Sequence, residues 1–524
     1  MAPTRHVIAE GSFGNLTAEQ SAQLRYFWHT VFMLNSMFDT MGPVVSDPSK
    51  VGAQTTQSNG GGWFGRKSAP AAPTPKYSAE VQEALELITR DEREQQQLVR
   101  QWQQLLALQS PESVRAFRDS LAQQSPDALE QLRQVIAMQT PESIKEFQKL
   151  LHGQSAQSIR AMVINAVKHE HPDSVALRFL RARKWDLNKS LLMMFKALIW
   201  RHQKAHVDDD IILRGEAGMA ADEQNGDKAA RTLGHDFLKQ IRMGKSFFHG
   251  TDRQDRPICV VRARLHKASD QCVESIERYT VFLIETGRFV LNPPIETACL
   301  VFDLTGFTLA NMDYVPVKFM IMCFEANYPE SLGVIIIHNA PWVFKGASRS
   351  MASLYHSTFE VMLIQYAACW RIINGWLDPV IAAKVNFTYS REDLEKFIAP
   401  DQLIKELGGD EDWEYQYEEP VAGENDTMQD TGKRDRLKKQ RDEVAQRFED
   451  ITRQWVLYAD GEPRAAELSA KRDAVAKEIQ DNYWNMDKYV RARSLYDRQG
   501  NIRGGAQVRW YGHTPQAARN GKAA

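Results

Sequence analysis

The chain has 524 residues, room for several domains, and its 65 lysines and arginines nearly balance 67 aspartates and glutamates, for a formal net charge of −2. That balance excludes a global field for nucleic acid, so any basic site must be local. The five cysteines (Cys259, Cys272, Cys299, Cys323, Cys369) are odd in number and form no CxxC or metal spacing, which fits a reducing compartment and argues against a disulfide framework or a cysteine metal site.

The opening "MAPTRHVIAEGSFGN" has no apolar signal core, and no window approaches the ~18–20 uncharged residues of a membrane span. We therefore expect a cytoplasmic protein whose membrane association is peripheral and transient. Within an N-terminal segment at 1–45, Leu16, Gln20, Leu24, Phe27 and Val31 mark one helical face, with Thr17 as cap. Residues 46–76 turn to Gly, Pro, Ser and Ala and read as a flexible linker. In the helical region 77–168 a repeat starts at Gln109, Gln124, Gln139 and, more weakly, Gln154, every 15 residues. Each unit puts Ser or Thr at an N-cap position, and three follow it with Pro and then an acid, so short helices are expected to stack on one another or on a neighbour.

A helical lobe is expected over 169–245. Its first helix has Asp173 or Ser174 as cap and carries Val175, Phe179 and Ala182 on one face; its second carries Leu191, Met194, Phe195, Leu198 and Ile199 at buried-stripe spacing. "GEAGMAADEQNGDKAA" then reads as a polar linker. From there the period changes: "ICVVRARLH", "ACLVFDL", "LGVIIIHNA" and "AKVNFTY" read as strands, with helices near Val273–Phe289 and Pro316–Tyr328 between them. Such alternation implies an α/β layer with crossover helices. "TDRQDRP" reads as a tight turn. Residues 421–490 give a helical hairpin with a heptad-like seam through Leu437, Val444, Phe448, Ile451, Trp455, Leu468, Val475, Ile479 and Tyr483, and 491–524 read as a disordered basic tail. GxSxG, HExxH and Walker patterns are absent, so no enzyme is expected; His338 reads as a core histidine, and Asp303 at a strand end has no nucleophile or base beside it.

Four stretches in order, "LRFLRARKWD", "DRQDRPI", "VFDLTGF" and "NYPESLGVIIIHNAPWVF…WLDPVIAAKV", resemble the CRAL-TRIO (Sec14-like) lipid-binding domain, fungal phosphatidylinositol transfer type. The resemblance implies an α/β fold over 246–420: a mixed sheet flooring a lipid cavity, with a helical N-terminal lobe and helical extensions at both ends. It also implies head-group contacts from Arg183, Lys184, Glu330 and Lys384, and a gate ending at Trp376, Leu377 and Ile381. Cations there would offset a buried phosphodiester, and the carboxylate would accept from inositol hydroxyls. Taken singly, each of these side chains also fits an ordinary surface or capping role.

The chain departs from the family pattern in two respects. Ala298, Leu300 and Phe324 stand where choline-lipid binders place hydroxyls, which points to a different second ligand such as a sterol or another apolar molecule; Ile381 replaces a threonine, which removes one phosphate donor and weakens the inositol assignment. An extra segment at about 345–369 separates "NAPWVF" from "WRIINGWLDP"; we read it as a retained intron, with a real insertion as the rival. The expected function is gated binding and exchange of phosphatidylinositol between membranes, with that phospholipid as ligand and no other cofactor, no metal and no nucleic acid. The alternative is a membrane-recruited scaffold that senses lipid without transferring it, with the repeats or the C-terminal hairpin as protein-binding surfaces.

Overall fold

The computed structural model describes residues 8–41, 83, 146–147, 149–152, 154–340, 371–458, 460–505 and 507–510. The expected linker at 46–76, the repeats from Gln109 to Gln139 and the extra segment at 345–369 lie outside these residues, as does Cys369.

Helix α1 (Ala18–Met41) begins with a reciprocal cap: the Thr17 hydroxyl accepts from the Gln20 amide at 3.2 Å, and the Gln20 side-chain oxygen accepts from Thr17 N–H at 3.0 Å. Leu24, Phe27, Trp28 and Val31 are its buried face. The last repeat unit forms α2 (Ala156–Val167), and Ser155 caps it by accepting from Ser158 N at 3.1 Å. Next come α3 (Pro172–Ala182) and α4 (Leu187–Ile199), which with α1 and α2 enclose one apolar cluster that also takes in Trp455 and Leu468. Neither Asp173 nor Ser174 caps α3. His171 is the cap and Pro172 the first helical residue, which leaves Asp173 free to make a buried ion pair with Arg472 and accept from Trp28 Nε1.

The stretch read as a polar linker is instead a helical hairpin, α5 (Ile212–Asn225) and α6 (Lys228–Arg242). Two local features explain this. Asp227 caps α6, and Gly234 lets the helices approach so closely that a Cβ there would lie 2.4 Å from the Met219 carbonyl oxygen. Fully buried Met219 and Phe237 then supply the apolar contact that composition alone concealed.

The sheet has five strands in the order β1 (Ser246–Thr251), β2 (Pro257–Arg262), β3 (Ala298–Asp303), β4 (Leu332–His338) and β5 (Val385–Thr388). β1 and β2 are antiparallel and the other pairs parallel. The mixed α/β architecture expected from the sequence is therefore present. "TDRQDRP" turns the β1–β2 hairpin, but β1 itself went unread, its "SFFHGT" being too short and too mixed to show a period. α7 (Val273–Phe289) and α8 (Tyr314–Met322) cross over the front of the sheet. A single helical turn, α9 (Pro379–Ala382), leads into β5, and α10 (Arg391–Glu395) follows it.

Side chains alternate between the two faces, as the period of two requires. Phe247, Ile258, Val260, Cys299, Val301, Val334 and Ile336 point to the back, against Leu394, Ile398, Leu403, Ile404 and Leu407. Phe248, Cys259, Leu300 and Ile337 point forward. β4 is buried on both faces, which is why "VIII" reads as an unbroken apolar run.

Helices α11 (Thr431–Trp455) and α12 (Pro463–Val490) pair along Leu437, Phe448, Leu468, Val475 and Ile479. The tail expected over 491–524 is folded through its described residues. After α13 (Leu495–Arg498), Tyr496 is buried and its hydroxyl accepts from Phe248 N–H at 2.7 Å, covering the edge strand β1. Its first cations are paired: Arg491 forks Asp487 and Asp497, and Arg498 meets Glu216 and Glu424, whereas Arg503 and Arg509 are exposed.

Candidate functional site

The front of the sheet does not close on a packed core. Ala298, Leu300 and Phe302 from β3, Cys259 and Val261 from β2 and Phe248 from β1 floor a cavity of about 340 Å³. Leu283 and Ile284 of α7, Val317 and Met320 of α8, and Phe324 roof it, and Ile373 of the helical residues 371–376 reaches its wall. The volume falls in the usual range for small-molecule sites. α8, "YVPVKFMIM", is almost entirely apolar yet has no fully buried residue, because one side faces the cavity while Val315 and Met322 face outward.

Beside this cavity lies a smaller pocket of about 130 Å³, lined by Ala182, Arg183, Glu325, Glu330, Ser331, Asp378, Ile381 and Lys384 among others. Phe324, Tyr328, Pro329, Ser331 and Leu332 line both spaces, so the apolar and polar chambers share one wall. Arg183 arrives at the C-cap of α3, Glu330 from the turn before β4 and Lys384 from the turn before β5. Lys384 Nζ lies 3.3 Å from Glu330 Oε2. Glu330 holds a left-handed backbone (φ 54°), a conformation that costs a non-glycine residue energy and clusters at functional sites. Arg183 Nη1 donates to the Ala182 carbonyl at 3.0 Å.

The other named positions sit as follows. Lys184, also at positive φ, is exposed and does not line the pocket. Ile381 faces the polar pocket rather than the apolar cavity. Trp376 packs edge-on to Tyr314, centroids 5.6 Å apart, and Leu377 is half-buried; neither lines either chamber. The segment is anchored at Asp378, whose N–H donates to Glu325 Oε1 at 2.6 Å and whose carboxylate caps α9 by accepting from Val380 N at 2.8 Å. Two of the three carboxylates in the small pocket thus hold backbone amides.

Sequence reasoning missed the rear wall. Arg178, Arg201 and Arg288 line the cavity there, each tied to buried carboxylates. Arg201 forks Asp208, with both contacts at 2.8 Å, and donates to Glu285; Arg288 Nε donates to Glu170 at 3.0 Å. Burial opposes ionisation of Glu170, but Arg178 and Arg288 outweigh it and bring its carboxyl down to about 2. Arg181, next to the expected cations, is structural: it donates to the Gly11 carbonyl at 2.8 Å and to Glu296 at 3.0 Å. The signal available for this wall was arginines recurring on otherwise apolar helices, which by itself reads as surface. His338 is buried and bonded to Thr388 at 3.0 Å, and Asp303 is paired with Arg264 at 2.6 Å. Among the described residues no group of three or more His, Cys, Asp or Glu side chains is placed to hold a metal, and no helix is long and apolar enough to cross a membrane.

Comparison with known proteins agrees with this geometry. The sequence matches the CRAL/TRIO domain over residues 241–358 and 365–409 and the CRAL/TRIO N-terminal domain over 143–196. It is 43% identical over 344 residues to a CRAL-TRIO domain-containing protein of Schizosaccharomyces pombe, covering 66% of this chain and 69% of that one. Phosphatidylinositol transfer protein CSR1 of Eremothecium gossypii is 38% identical over 335 residues, 64% of this chain and 69% of the relative. The Sec14 cytosolic factor of S. pombe is 25% identical over 255 residues, 45% of this chain and 74% of the relative. Both domain matches, in order, and two fungal relatives aligned over most of their own length establish that this chain belongs to the CRAL-TRIO (Sec14-like) family.

Proposed function

We propose that this protein binds phosphatidylinositol, acyl chains in the apolar cavity and head group in the adjoining polar pocket, and exchanges it between membrane surfaces without covalent chemistry. The observation that carries the reading is the shared wall: an amphiphile needs an apolar and a polar chamber in contact, and Phe324, Tyr328, Pro329, Ser331 and Leu332 border both. Arg183 and Lys384 would offset the phosphodiester charge while Glu330 accepts from inositol hydroxyls, the three lining one pocket. Burying acyl chains is favoured at ~0.8 kcal/mol per CH₂, which outweighs any single polar contact and makes head-group residues selectors rather than the main source of affinity. A 38% identical relative that bears the name phosphatidylinositol transfer protein supports the lipid class.

Release at a bilayer returns the chains to an equally apolar medium, so exchange does not incur the full aqueous cost of exposing them. Such a protein works in the cytoplasm and touches membranes peripherally. The test is a vesicle assay with purified full-length protein and labelled phosphatidylinositol. Many lipids moved per protein supports transfer; stoichiometric binding without transfer supports a lipid-sensing scaffold instead. Absence of any bound phosphatidylinositol, by mass spectrometry of the purified protein and by vesicle binding, would refute both.

A further inference from the structure

The inositol-lipid pocket occupies one end of the cavity, beside the N-terminal ends of β3 and β4, where Ala298 pairs with Leu332. At the other end, level with Asp303, stands a second polar cluster that this reading leaves unused. Lys245, immediately before β1, pairs with the end of β2 through Arg262 N–H to its carbonyl at 2.8 Å. Its Nζ lies 3.1 Å from His266 Nδ1 and 3.1 Å from Gln271 Oε1. His266 Nε2 lies 3.2 Å from Asp313 Oδ2, and Asp313 Oδ1 is held by Val315 N at 3.0 Å. Asn311 fixes the loop by donating to the Arg264 and His266 carbonyls at 3.0 and 2.9 Å. Lys245, His266, Asn311 and Asp313 all line the cavity.

The charge arrangement at this end is incomplete. Lys245 is 4% exposed, and among the described residues it makes no ion pair with a carboxylate. Asp270 is paired with Lys239, and Asp313 reaches His266. The nearby guanidinia are already satisfied, Arg262 by Glu406 and Arg264 by Asp303 and Glu406. Burial lowers the Lys245 ammonium to about 8, and burial first, with the Lys245 charge second, lowers the His266 imidazole against the pull of Asp313 and Asp270, which favours its neutral form. Neutral His266 accepts from Lys245 through Nδ1 and donates through Nε2 to Asp313, leaving one Lys245 donor uncommitted. Asp270 and Asp313 act on Lys245 from beyond contact distance, and a buried cation with no carboxylate in direct contact is costly, so a single anionic oxygen pair delivered along the apolar cavity would relieve that cost.

We infer that the far end of the cavity is a second ligand site, in which Lys245, positioned by His266 and Gln271, takes the carboxylate of a long-chain carboxylic acid whose hydrocarbon chain lies along the β3 floor. The two ends are separated by about 16 Å, five strand rises of ~3.3 Å, so an acid anchored at Lys245 and an inositol lipid anchored at Lys384 compete for the same apolar space through opposite polar ends. This extends the phosphatidylinositol reading but does not require it.

The test uses delipidated full-length protein, radiolabelled palmitic acid and its methyl ester. The unmodified protein should bind the acid at least about tenfold more tightly than the ester, the lower bound for a hydrogen bond to a charged group. Lys245→Met should remove that preference while leaving ester binding unchanged, and Lys384→Met should leave it intact. Equal affinity for acid and ester in the unmodified protein overturns the inference, as does an unchanged acid preference in a folded Lys245→Met variant. If that variant fails to fold, the acid-to-ester ratio of the unmodified protein decides alone. Phosphatidylinositol binding is scored on the same preparations. Its absence, with the acid preference present, would refute the inositol-lipid reading and leave this one standing.

Discussion

On the proposed assignment, Lys384→Ala should separate head-group recognition from folding. The Lys384 side chain is 21% exposed and, among the described residues, has one ion-pair contact, Glu330 at 3.3 Å. A pair of that kind contributes about 0–1 kcal/mol, so the variant should fold and lose at most a few degrees of melting temperature. Toward bound phosphatidylinositol the same side chain would supply a charge-assisted hydrogen bond worth about 1.5–3 kcal/mol, a loss of about 10- to 150-fold in affinity on removal. Arg183→Ala should behave alike. In the double variant the two losses share one ligand group and need not add, but the effect should be no smaller than the larger single loss. The assay is transfer of labelled phosphatidylinositol between vesicles, run beside thermal unfolding of the same samples. Wild-type transfer by a double variant with unchanged melting would refute the assignment of the head group to this pocket.

Filling the cavity should act on lipid and not on the fold. Ala298→Trp adds bulk into open space beside Leu300 and Phe324, so the lipid that co-purifies, measured by native mass spectrometry, should fall sharply while the melting temperature holds. Asp173→Ala should do the reverse. It leaves Arg472, paired at 2.7 and 3.0 Å, buried without its carboxylate at the junction of α1, α3 and α12, a loss of about 3–5 kcal/mol readable by denaturant unfolding. His169 stacks on Phe289 at 5.3 Å, and burial lowers its imidazole to about 4. Because the unfolded state binds the proton first, this histidine should make stability fall as pH drops from about 6.5 to about 4, by up to about 3 kcal/mol. His169→Gln should flatten that limb in urea unfolding measured across the same pH range.

Much of the architecture was legible because it rests on local rules. The four parallel strands, the α7 crossover and the α11–α12 seam follow from period and cap chemistry, which act within a few residues. Where the reading failed, the deciding contacts lay far away in sequence. The α5–α6 hairpin looked like a linker because its apolar anchors are sparse, Met219 and Phe237 becoming a core only once the helices meet. The terminal segment looked like a basic tail because its arginines were counted as free charges, whereas Glu216 neutralises Arg498 and Asp487 meets Arg493 from other helices. β1 is short and gains its pairing from β2 and its edge cover from Tyr496.

The candidate site divides along the same line. Motif order singled out Arg183, Glu330 and Lys384, which line the polar pocket, and Ala298, Leu300 and Phe324, which line the cavity, because the residue types and their sequence order are properties of the chain. Only the tertiary structure decided which side chains share a chamber: it turns Lys184 outward at positive φ, sends Ile381 to the polar side, and aligns Lys245 with His266 and Asp313. Periodicity specifies which face a residue takes on its own element. It does not specify which element lies opposite, and a buried charge is set by that opposing partner.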